Sequence, residues 1–323
     1  GALPDVEGTV ELLLNDFDEA IVGNPAYDVT RLALSLATAA RGVGCSGGTI
    51  HALTASIVEG YEAALDRFVD PSSPKRESRS EPLQELVREA TKATRRDLLS
   101  KHTGDDHPRA LPLGDRFWPL SAASRDALAA LAIEPAMREL TSGAGMQVLD
   151  VAFRVAGTAS LGTFRAALLV SVDDAPKGER LRILDVKEST GSAAPAMGGT
   201  PSDDAERALA GARALAPGFG ARKRAVSVLS HRCLARELMA QERKVEVDRL
   251  AAGELATLAF TLGKVVGKAH GRQLSPKDAK QWRTDVSARR AAGHPPEWLS
   301  RALALLVGAH EAAYLRHCTE RQR

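Results

Sequence analysis

The amino-acid sequence predicts an α+β fold that is mostly helical and contains one small antiparallel sheet. Alanine and leucine recur at helical spacing over most of the 323 residues, and this periodicity favours helices. Over 147–186 the pattern changes to alternating apolar and polar residues, which is typical of strands. A chain of this length can bury its core in one large domain or in two lobes.

Eight helices are expected from the apolar periodicity and from the breaks that interrupt it. Proline, serine and charged residues over 70–82 predict a solvated loop, and a second break covers 102–119. The predicted helices cover about 28–42, 49–69, 82–100, 121–139, 202–215, 250–271, 276–291 and 296–319.

Strands are predicted in the middle of the chain. Alternating segments at 148–155, 164–172 and 181–187 are separated by turn-forming residues, so we expect successive hairpins. A further one or two strands are expected within 226–238, and a short strand over 10–15.

Charge and composition limit the classes of partner. A net charge of +2 and an aromatic content of 4% argue against a nucleic-acid or membrane partner. No apolar run approaches the length of a bilayer span, and the start lacks the features of a signal peptide. Cys45, Cys233 and Cys318 have no metal-ligand spacing and predict reduced thiols in a cytoplasmic protein.

An acidic turn near the start is the first candidate for a functional site. Asp16 and Asp18 follow a short apolar run and precede a helix. Mg²⁺ is usually held by one or two carboxylates together with the phosphates of a substrate. The segment therefore indicates a divalent-cation site. The alternative is an acidic turn that only caps the strand.

The second candidate is a glycine-rich turn followed by a lysine on a later strand. Gly157, Ser160, Gly162 and Thr163 lie in the turn, and Lys187 ends the third strand. Glycine lets the backbone approach phosphate oxygens closely, and a lysine adds a positive charge for them. This combination is typical of the amino-terminal lobe of protein kinases. A plain hairpin is the alternative.

The acidic segment also resembles a known family. In the aminoglycoside-phosphotransferase-like branch of the protein-kinase superfamily, the metal segment looks like Asp-Phe-Glu-Asp-x-x-x-Gly-Asp-Pro-Ala-Tyr-Asp-Leu, and Asp16, Gly23 and 25–28 match it. The resemblance implies Asp16 as the Mg²⁺ ligand, Asp18 as the ligand of a second ion and Asp28 as a structural acid. The longer form, Asn-Asp-Phe-Asp-Glu with Asp-Val-Thr-Arg-Leu-Ala, resembles the uncharacterised bacterial domain-of-unknown-function family 2252.

Two later segments carry the same resemblance. Val-Lys-Glu around Lys187 is similar to the family's Val-Lys-Glu motif, and the next helix would supply the glutamate that orients this lysine. Glu206 is the candidate, with a solvated helix-face glutamate as the alternative. Arg-Glu-Leu at 236–238 resembles the family's Arg-Glu-Leu-Gln-Pro, which implies an interlobe hinge where Glu237, Leu238 and Met239 meet adenine.

The order of these segments implies a circularly permuted, kinase-like fold with two lobes. The metal segment comes first, followed by helices, the glycine-rich hairpin, the lysine strand, the hinge and a long helix that ends near His270. We therefore expect a helical carboxy-lobe-like part over 1–145 and an amino-lobe-like sheet over 146–248. Residues 249–323 would complete the helical lobe.

One motif of the resemblance does not occur in the sequence. The family carries Gly-Asp-x-His-x-x-Asn-Phe-Gly before the metal strand, where it supplies the catalytic base and a further metal ligand. We expect the sequence to be a fragment that opens on the last glycine of that motif, Gly1. Such a fragment is expected to bind nucleotide better than it turns it over.

The leading hypothesis is a phosphotransferase that binds ATP and Mg²⁺ and acts on an unknown small-molecule or protein acceptor. Lys187, Glu206 and Asp18 take the catalytic roles in it, and nucleotidyl transfer stays open because the same cradle presents another phosphorus atom. The alternative is a non-catalytic pseudokinase that binds a nucleotide or a protein. A helical scaffold with a small sheet is the third option.

Overall fold

A computed structural model describes residues 1–5, 8–74, 80–103, 109–141, 145–157, 161–173, 180–243, 254–288 and 290–321. Across these residues the chain forms eleven α-helices, one 3₁₀ helix and two antiparallel sheets, so the predicted α+β class is confirmed. None of the described helices has the length and apolar character needed to span a bilayer.

Helices dominate both ends of the chain, and the long strands lie between them. In chain order the elements are β1 (Ala2–Pro4), β2 (Val10–Leu12), α1 (Ala26–Gly42), α2 (Gly47–Val69), α3 (Glu81–Lys92), α4 (Arg95–Thr103), β3 (Phe117–Trp118), α5 (Ala122–Ala130), a 3₁₀ helix (Leu131–Ile133), α6 (Pro135–Leu140), β4 (Met146–Arg154), β5 (Arg165–Val172), β6 (Leu181–Glu188), α7 (Asp204–Leu215), α8 (Pro217–Gly220), β7 (Lys223–Val228), β8 (His231–Glu237), α9 (Leu255–Gly271), α10 (Pro276–Ser287) and α11 (Glu297–Arg321).

The chain divides into two compact units. The first combines Gly1–Gly23 with Val87–Arg243, and the second combines Asn24–Leu86 with Lys244–Arg323. The predicted parts, 1–145, 146–248 and 249–323, are each continuous in sequence, whereas each compact unit combines two separate segments. The first residues belong to the unit with the sheets because β1 pairs with β2 and Ala2 exchanges backbone hydrogen bonds with Arg243, at 2.9 and 3.0 Å.

The first unit is built around a six-stranded sheet with the strand order β3-β4-β5-β6-β8-β7. Side chains alternate between its two faces. One face carries Leu168, Leu184 and Val186, which pack against residues of α5, the 3₁₀ helix and α6. The opposite face carries Leu169 and Ile183 in a second apolar cluster, and its charged residues lie farther along the same strands.

The long strands were predictable, and the short ones were not. β4, β5 and β6 lie within two residues of their predicted bounds. The segment 226–238 contains β8 and the end of β7, which begins earlier, at Lys223. β1 and β3 were missed because two or three residues are too few to show an alternating pattern. The single predicted sheet is corrected to two, since β1 and β2 form a separate ribbon.

Two of the predicted helices are interrupted. The segment 82–100 forms α3 and α4, because Thr94 starts a new helix: its hydroxyl accepts the amide of Asp97 at 3.3 Å, and its own amide donates to the Asp97 carboxylate at 2.8 Å. The segment 121–139 is interrupted before α6, which begins at Pro135. Proline is favoured in a first helical turn and disfavours helical backbone in the residue before it.

The described residues of the second unit form helices, and α2 and α9 approach each other closely. Glycines make this approach sterically allowed: a Cβ on Gly263 would overlap the carbonyl oxygen of Ile57, and one on Gly60 would overlap that of Phe260. A Cβ on Gly267 would lie 2.6 Å from the carbonyl oxygen of Tyr61. The two helix backbones are therefore in direct contact along this line.

A chain of buried and partly buried hydrogen bonds adds to this packing. The indole of Trp282 donates to the Tyr61 hydroxyl at 2.7 Å, and this hydroxyl lies 2.8 Å from Nδ1 of His270. Nε2 of His270 lies 3.1 Å from the carboxylate of Asp28, the residue predicted to be a structural acid. The carboxylate of Asp28 accepts, so Nε2 of His270 donates to it, and in the neutral ring Nδ1 then accepts the Tyr61 proton.

Candidate functional site

Lys187 and Asp18 form an ion pair in the first unit. On β6, the residues Ile183, Asp185 and Lys187 lie on one face of the strand, so Lys187 points away from the apolar cluster of Leu184 and Val186. Its ammonium contacts the Asp18 carboxylate, although 169 residues separate them in sequence. Both side chains are about one-quarter exposed, at 26% and 25%, so the pair is accessible to a ligand.

Arg207 fixes the backbone of the acidic segment. Its guanidinium donates to the carbonyl oxygens of Asp18 and Ala20 at 2.7 Å each, and to that of Thr190 at 2.6 Å. It also pairs with Asp204 on the same helix, at 3.2 Å, and its side chain is only 5% exposed. This buried cation therefore joins α7, the acidic segment and the chain that leaves β6.

The chain after β6 is also held by the acidic segment. The carboxylate of Glu19 accepts the hydroxyl of Ser192 and the amide of Ala193, both at 2.9 Å. Val22 extends the contact: its carbonyl accepts the amide of Met197 at 2.8 Å, and its amide donates to Thr200 at 3.1 Å. Contacts of residues 18, 19, 20 and 22 thus fix the acidic segment that begins at Asp16.

The glycine-rich turn lies at the same end of the sheet as Lys187. Gly157 and Gly162 have φ values of +76° and +89°, a conformation that favours glycine. The first residue after the turn, Phe164, donates its amide to the Glu188 carboxylate at 2.7 Å. Glu188 also lies 2.8 Å from Nδ1 of His231, and the His231 ring stacks on Phe164 with centroids 4.8 Å apart. The exit of the turn is therefore anchored to β6 and β8.

Asp185, two residues before Lys187, is surrounded by arginines. Its carboxylate accepts Arg154 at 2.8 Å and a bidentate pair from Arg165 at 2.9 and 2.7 Å, and Arg236 lies 3.5 Å away. Burial alone would raise the pKa of Asp185, but these three guanidinium groups hold it well below its usual range. The carboxylate is therefore ionised, and it orients the arginines on this face of the sheet.

Asp16 has an exposed side chain, whereas the next residue, Phe17, is buried. The ring of Phe17 lies 5.9 Å from the ammonium of Lys223, which is 4.4 Å from the ring of Phe219. Lys223 is 4% exposed. Burial, assisted by Arg236, lowers the pKa of Lys223 to about 7, and Asp16 is among the carboxylates that oppose this shift.

We expect Lys223→Met to raise the free energy of unfolding by about 1 to 3 kcal/mol near pH 6. The folded state disfavours the charged form of Lys223, so below about pH 7 this charge destabilises the wild-type protein by its full amount. The destabilisation decreases as the pH rises from about 7 towards the pKa of the unfolded chain near 10.5. The two aromatic rings favour the charge and offset part of this cost. Urea denaturation between about pH 6 and pH 9 measures the effect.

The control for this prediction is Lys101→Met, which changes an exposed lysine of the same unit. The wild-type protein and this control should become more stable with rising pH in that interval, and the Lys223 variant should show a flatter dependence. A variant whose pH dependence matches that of the wild-type protein would contradict the buried, disfavoured charge.

The predicted hinge residues lie at the end of β8. The Glu237 carboxylate lies 3.3 Å from Arg95 and 3.4 Å from Arg182, and burial raises the pKa of Glu237. The amide of Leu238 donates to the carbonyl of Ile183 at 2.8 Å, and that of Met239 contacts Glu242 at 3.4 Å. These amides have internal partners, and their contact with adenine stays a prediction.

The structure thus brings Lys187 and Asp18 together, at the end of the sheet where Gly157 and Gly162 lie, and leaves Glu206 apart. The side chain of Glu206 is exposed in the first turn of α7, and the ion-pair partner of Lys187 is Asp18. Thr163 is the residue after Gly162 in the turn, and Ser160 lies outside the described residues. Sequence reasoning missed Arg207, because it considered only the glutamate of α7 that a kinase-like arrangement requires, Glu206.

The fold and this site define an α+β protein with a lysine–carboxylate pair beside a glycine-rich turn at one end of an antiparallel sheet. Residues 1–320 match the family described as "Uncharacterized protein conserved in bacteria (DUF2252)", so the chain belongs to that family. The predicted resemblance to this bacterial family is confirmed. Neither a curated protein nor a solved structure matches the chain.

Proposed function

We propose that this protein binds ATP together with Mg²⁺ and transfers a phosphoryl group, through a kinase-like fold whose segments occur in permuted order. The observation that carries the proposal is the ion pair of Lys187 and Asp18. It joins a strand lysine close to the glycine-rich turn with an acidic segment that lies near the start of the sequence. Phosphoryl transfer requires such positioning and charge neutralisation more than covalent chemistry from the protein.

The order of elements supports the kinase-like part of the proposal. The glycine-rich turn connects β4 and β5, the third strand of this series, β6, carries Lys187, and α7 follows it. In protein kinases, a glycine-rich loop covers the phosphates, a lysine on the third strand binds them, and the next helix supplies a glutamate. The acidic segment precedes these elements in this chain, which supports the permuted order.

The donor set of the acidic segment fits Mg²⁺. Asp16 and Asp18 would supply carboxylate oxygens, and this ion often takes only one or two carboxylates beside the phosphates of a ligand. Among the described residues no group of three or more His, Cys, Asp or Glu side chains is placed to hold a metal, so phosphate and water would complete the ligand set. When bound, Mg²⁺ would neutralise charge on the phosphates.

Each protein group then has a defined task. Lys187 would bind phosphate oxygens, and Asp18 neutralises this lysine while no ligand is present. The backbone at Gly157 and Gly162 would approach the phosphates, and Arg207 holds the acidic segment in place. Glu206 would have to change its side-chain conformation to replace Asp18 as the partner of Lys187.

Calorimetry of ATP binding with and without Mg²⁺ tests the proposal. We expect the wild-type chain to bind ATP more tightly with Mg²⁺, and Lys187→Ala and Asp16→Ala to weaken that binding about tenfold or more. Each variant removes one charge-assisted contact, and tenfold corresponds to about 1.4 kcal/mol. Asp18→Asn should abolish most of the Mg²⁺ dependence, since it removes a proposed metal ligand.

Two exposed residues of the same unit provide matched controls. Lys101→Ala and Asp126→Ala remove the same charges from exposed residues that are not part of the proposed site, and they should leave the affinity unchanged. ATP binding that is absent, or that none of the site variants changes, would refute the nucleotide proposal. A non-catalytic, partner-binding role would then be the better hypothesis.

A further inference from the structure

We infer that Arg154 and Arg165 form a second phosphate-binding group beside Lys187, which makes the site select ligands with three phosphates over ligands with one. The inference rests on the proposed function for the identity of the nucleotide. It adds the substrate class, a polyphosphate chain, and the two residues that recognise it.

The first argument is the register of the sheet. Arg165 on β5 lies directly opposite Lys187 on β6. On its other side, Phe153 pairs with Ala166, which places Arg154 of β4 opposite Arg165. Three cations thus form one row across three neighbouring strands. Like charges directly opposite each other destabilise a sheet, so this row requires a source of negative charge.

The carboxylates around the row do not neutralise it completely. Arg154, Arg165, Arg236 and Lys187 contribute four positive charges, and their ion-pair partners among the described residues are Asp185, Asp18 and Glu242. One positive charge therefore remains. The arginines are not sealed off, since the Arg154 and Arg165 side chains are 17% and 12% exposed.

The electrostatics of Arg154 agree with this surplus. Burial lowers its pKa, Asp185 acts in the opposite direction, and Arg165 and Arg236 lower it further. A phosphate placed here would relieve the repulsion among the guanidinium groups.

The arginines also retain donors for a ligand. Arg154 uses Nη1 for Asp185, and Arg165 uses Nε and Nη2. Within the part of the chain that the structure describes, Nη2 of Arg154 and Nη1 of Arg165 make no hydrogen bond. A guanidinium held by a carboxylate on one side presents its remaining N–H groups in a fixed direction, and this planar geometry suits phosphate oxygens.

Their position along the chain matches the proposed phosphate site. Arg154 ends β4 three residues before Gly157, and Arg165 begins β5 three residues after Gly162. The two arginines therefore flank Gly157 and Gly162, the glycines assigned to the proposed phosphate site. A nucleoside monophosphate is too short to engage Lys187 and both arginines at once, whereas a triphosphate offers a phosphate group to each cation.

Calorimetry with ATP, ADP, AMP and inorganic tripolyphosphate on the whole chain, with Mg²⁺, tests the inference. In the wild-type protein ATP should bind about 100-fold more tightly than AMP. Arg154→Lys and Arg165→Lys keep the charge but lose the planar fork. Each should weaken ATP and tripolyphosphate about tenfold and AMP less than about threefold.

Arg224→Lys is the matched control, because Arg224 also belongs to the sheet and donates to a carboxylate, Glu139, at 2.7 Å. It should leave all four affinities unchanged. Should a single variant fail to fold, Arg154→Gln combined with Asp185→Asn removes one charge of each sign. This double variant is expected to show the same selective loss of ATP and tripolyphosphate.

The outcomes separate this inference from the proposed function. Equal losses for ATP and AMP, or no loss, would show that the arginines only neutralise Asp185 and would overturn the inference while the nucleotide site stands. The wild-type protein could bind tripolyphosphate but no nucleotide, with weaker binding in the arginine variants. That result would support the phosphate-binding arginines and refute the proposal that the ligand is a nucleotide. Absence of binding to all four ligands would refute both.

Discussion

Replacing Gly263 with alanine is expected to lower the free energy of unfolding by about 3 kcal/mol or more. The added methyl group would overlap the carbonyl oxygen of Ile57, which belongs to the backbone of α2 and has no rotamer that avoids it. The only relief is to separate α2 from α9, which would loosen the contacts of Tyr61 and Gly267 as well. Alanine is the better helix former by about 1 kcal/mol, so the steric cost must exceed that gain.

Gly308→Ala is the matched control, because it is also a glycine within a helix. Apart from its chain neighbours and the backbone of its own helix, no atom of the described residues lies within 4 Å of the position that its Cβ would take. At this position the helix-forming preference acts alone, and the free energy of unfolding should rise by about 0.5 to 1 kcal/mol. Urea denaturation followed by circular dichroism measures both variants. A Gly263 variant as stable as the wild-type protein would contradict the close approach of α2 and α9.

The sequence predicts the helices and long strands well because their information is local. Apolar periodicity locates α2 and α9 to within a few residues. It does not show that Gly60 and Gly263 lie at the contact of these two helices, since a glycine at a helix contact and a glycine on an exposed face give the same pattern. Helix contacts of this kind depend on the distance between two backbones, which no single segment encodes.

The candidate site was predictable in part for the same reason. Lys187 and Asp18 carry recognisable chemistry within short motifs, and the structure brings them together. Arg207 follows Glu206 on the apparently polar side of α7, and nothing in the sequence shows that the acidic segment covers this side. A buried arginine on such a face appears only after the tertiary contacts are known. Glu206 was predicted instead because the resemblance implies a glutamate on this helix.

Arg207→Met is expected to lower the free energy of unfolding by about 3 to 5 kcal/mol. Methionine removes the buried guanidinium that donates to the carbonyl oxygens of Asp18, Ala20 and Thr190, and these partly buried hydrogen bonds would be lost. A carbonyl left without a hydrogen bond costs about 1 to 3 kcal/mol. Thermal and urea denaturation of the purified variant measure the loss.

The control is Arg213→Met, which changes an exposed arginine of the same helix and should alter stability by less than about 0.5 kcal/mol.

Arg207→Lys adds a functional measurement, since one ammonium retains the charge but cannot span three carbonyls. If the clamp positions Asp18, this variant should weaken Mg²⁺-dependent ATP binding even below its melting temperature. Unchanged ATP binding in a destabilised Arg207→Lys variant would restrict Arg207 to folding. An Arg207→Met variant as stable as Arg213→Met would contradict the proposal that the hydrogen bonds of Arg207 stabilise the fold. The distinction matters because Asp18 is held by its backbone through Arg207 and by its side chain through Lys187, and only the side-chain contact has to open for a ligand.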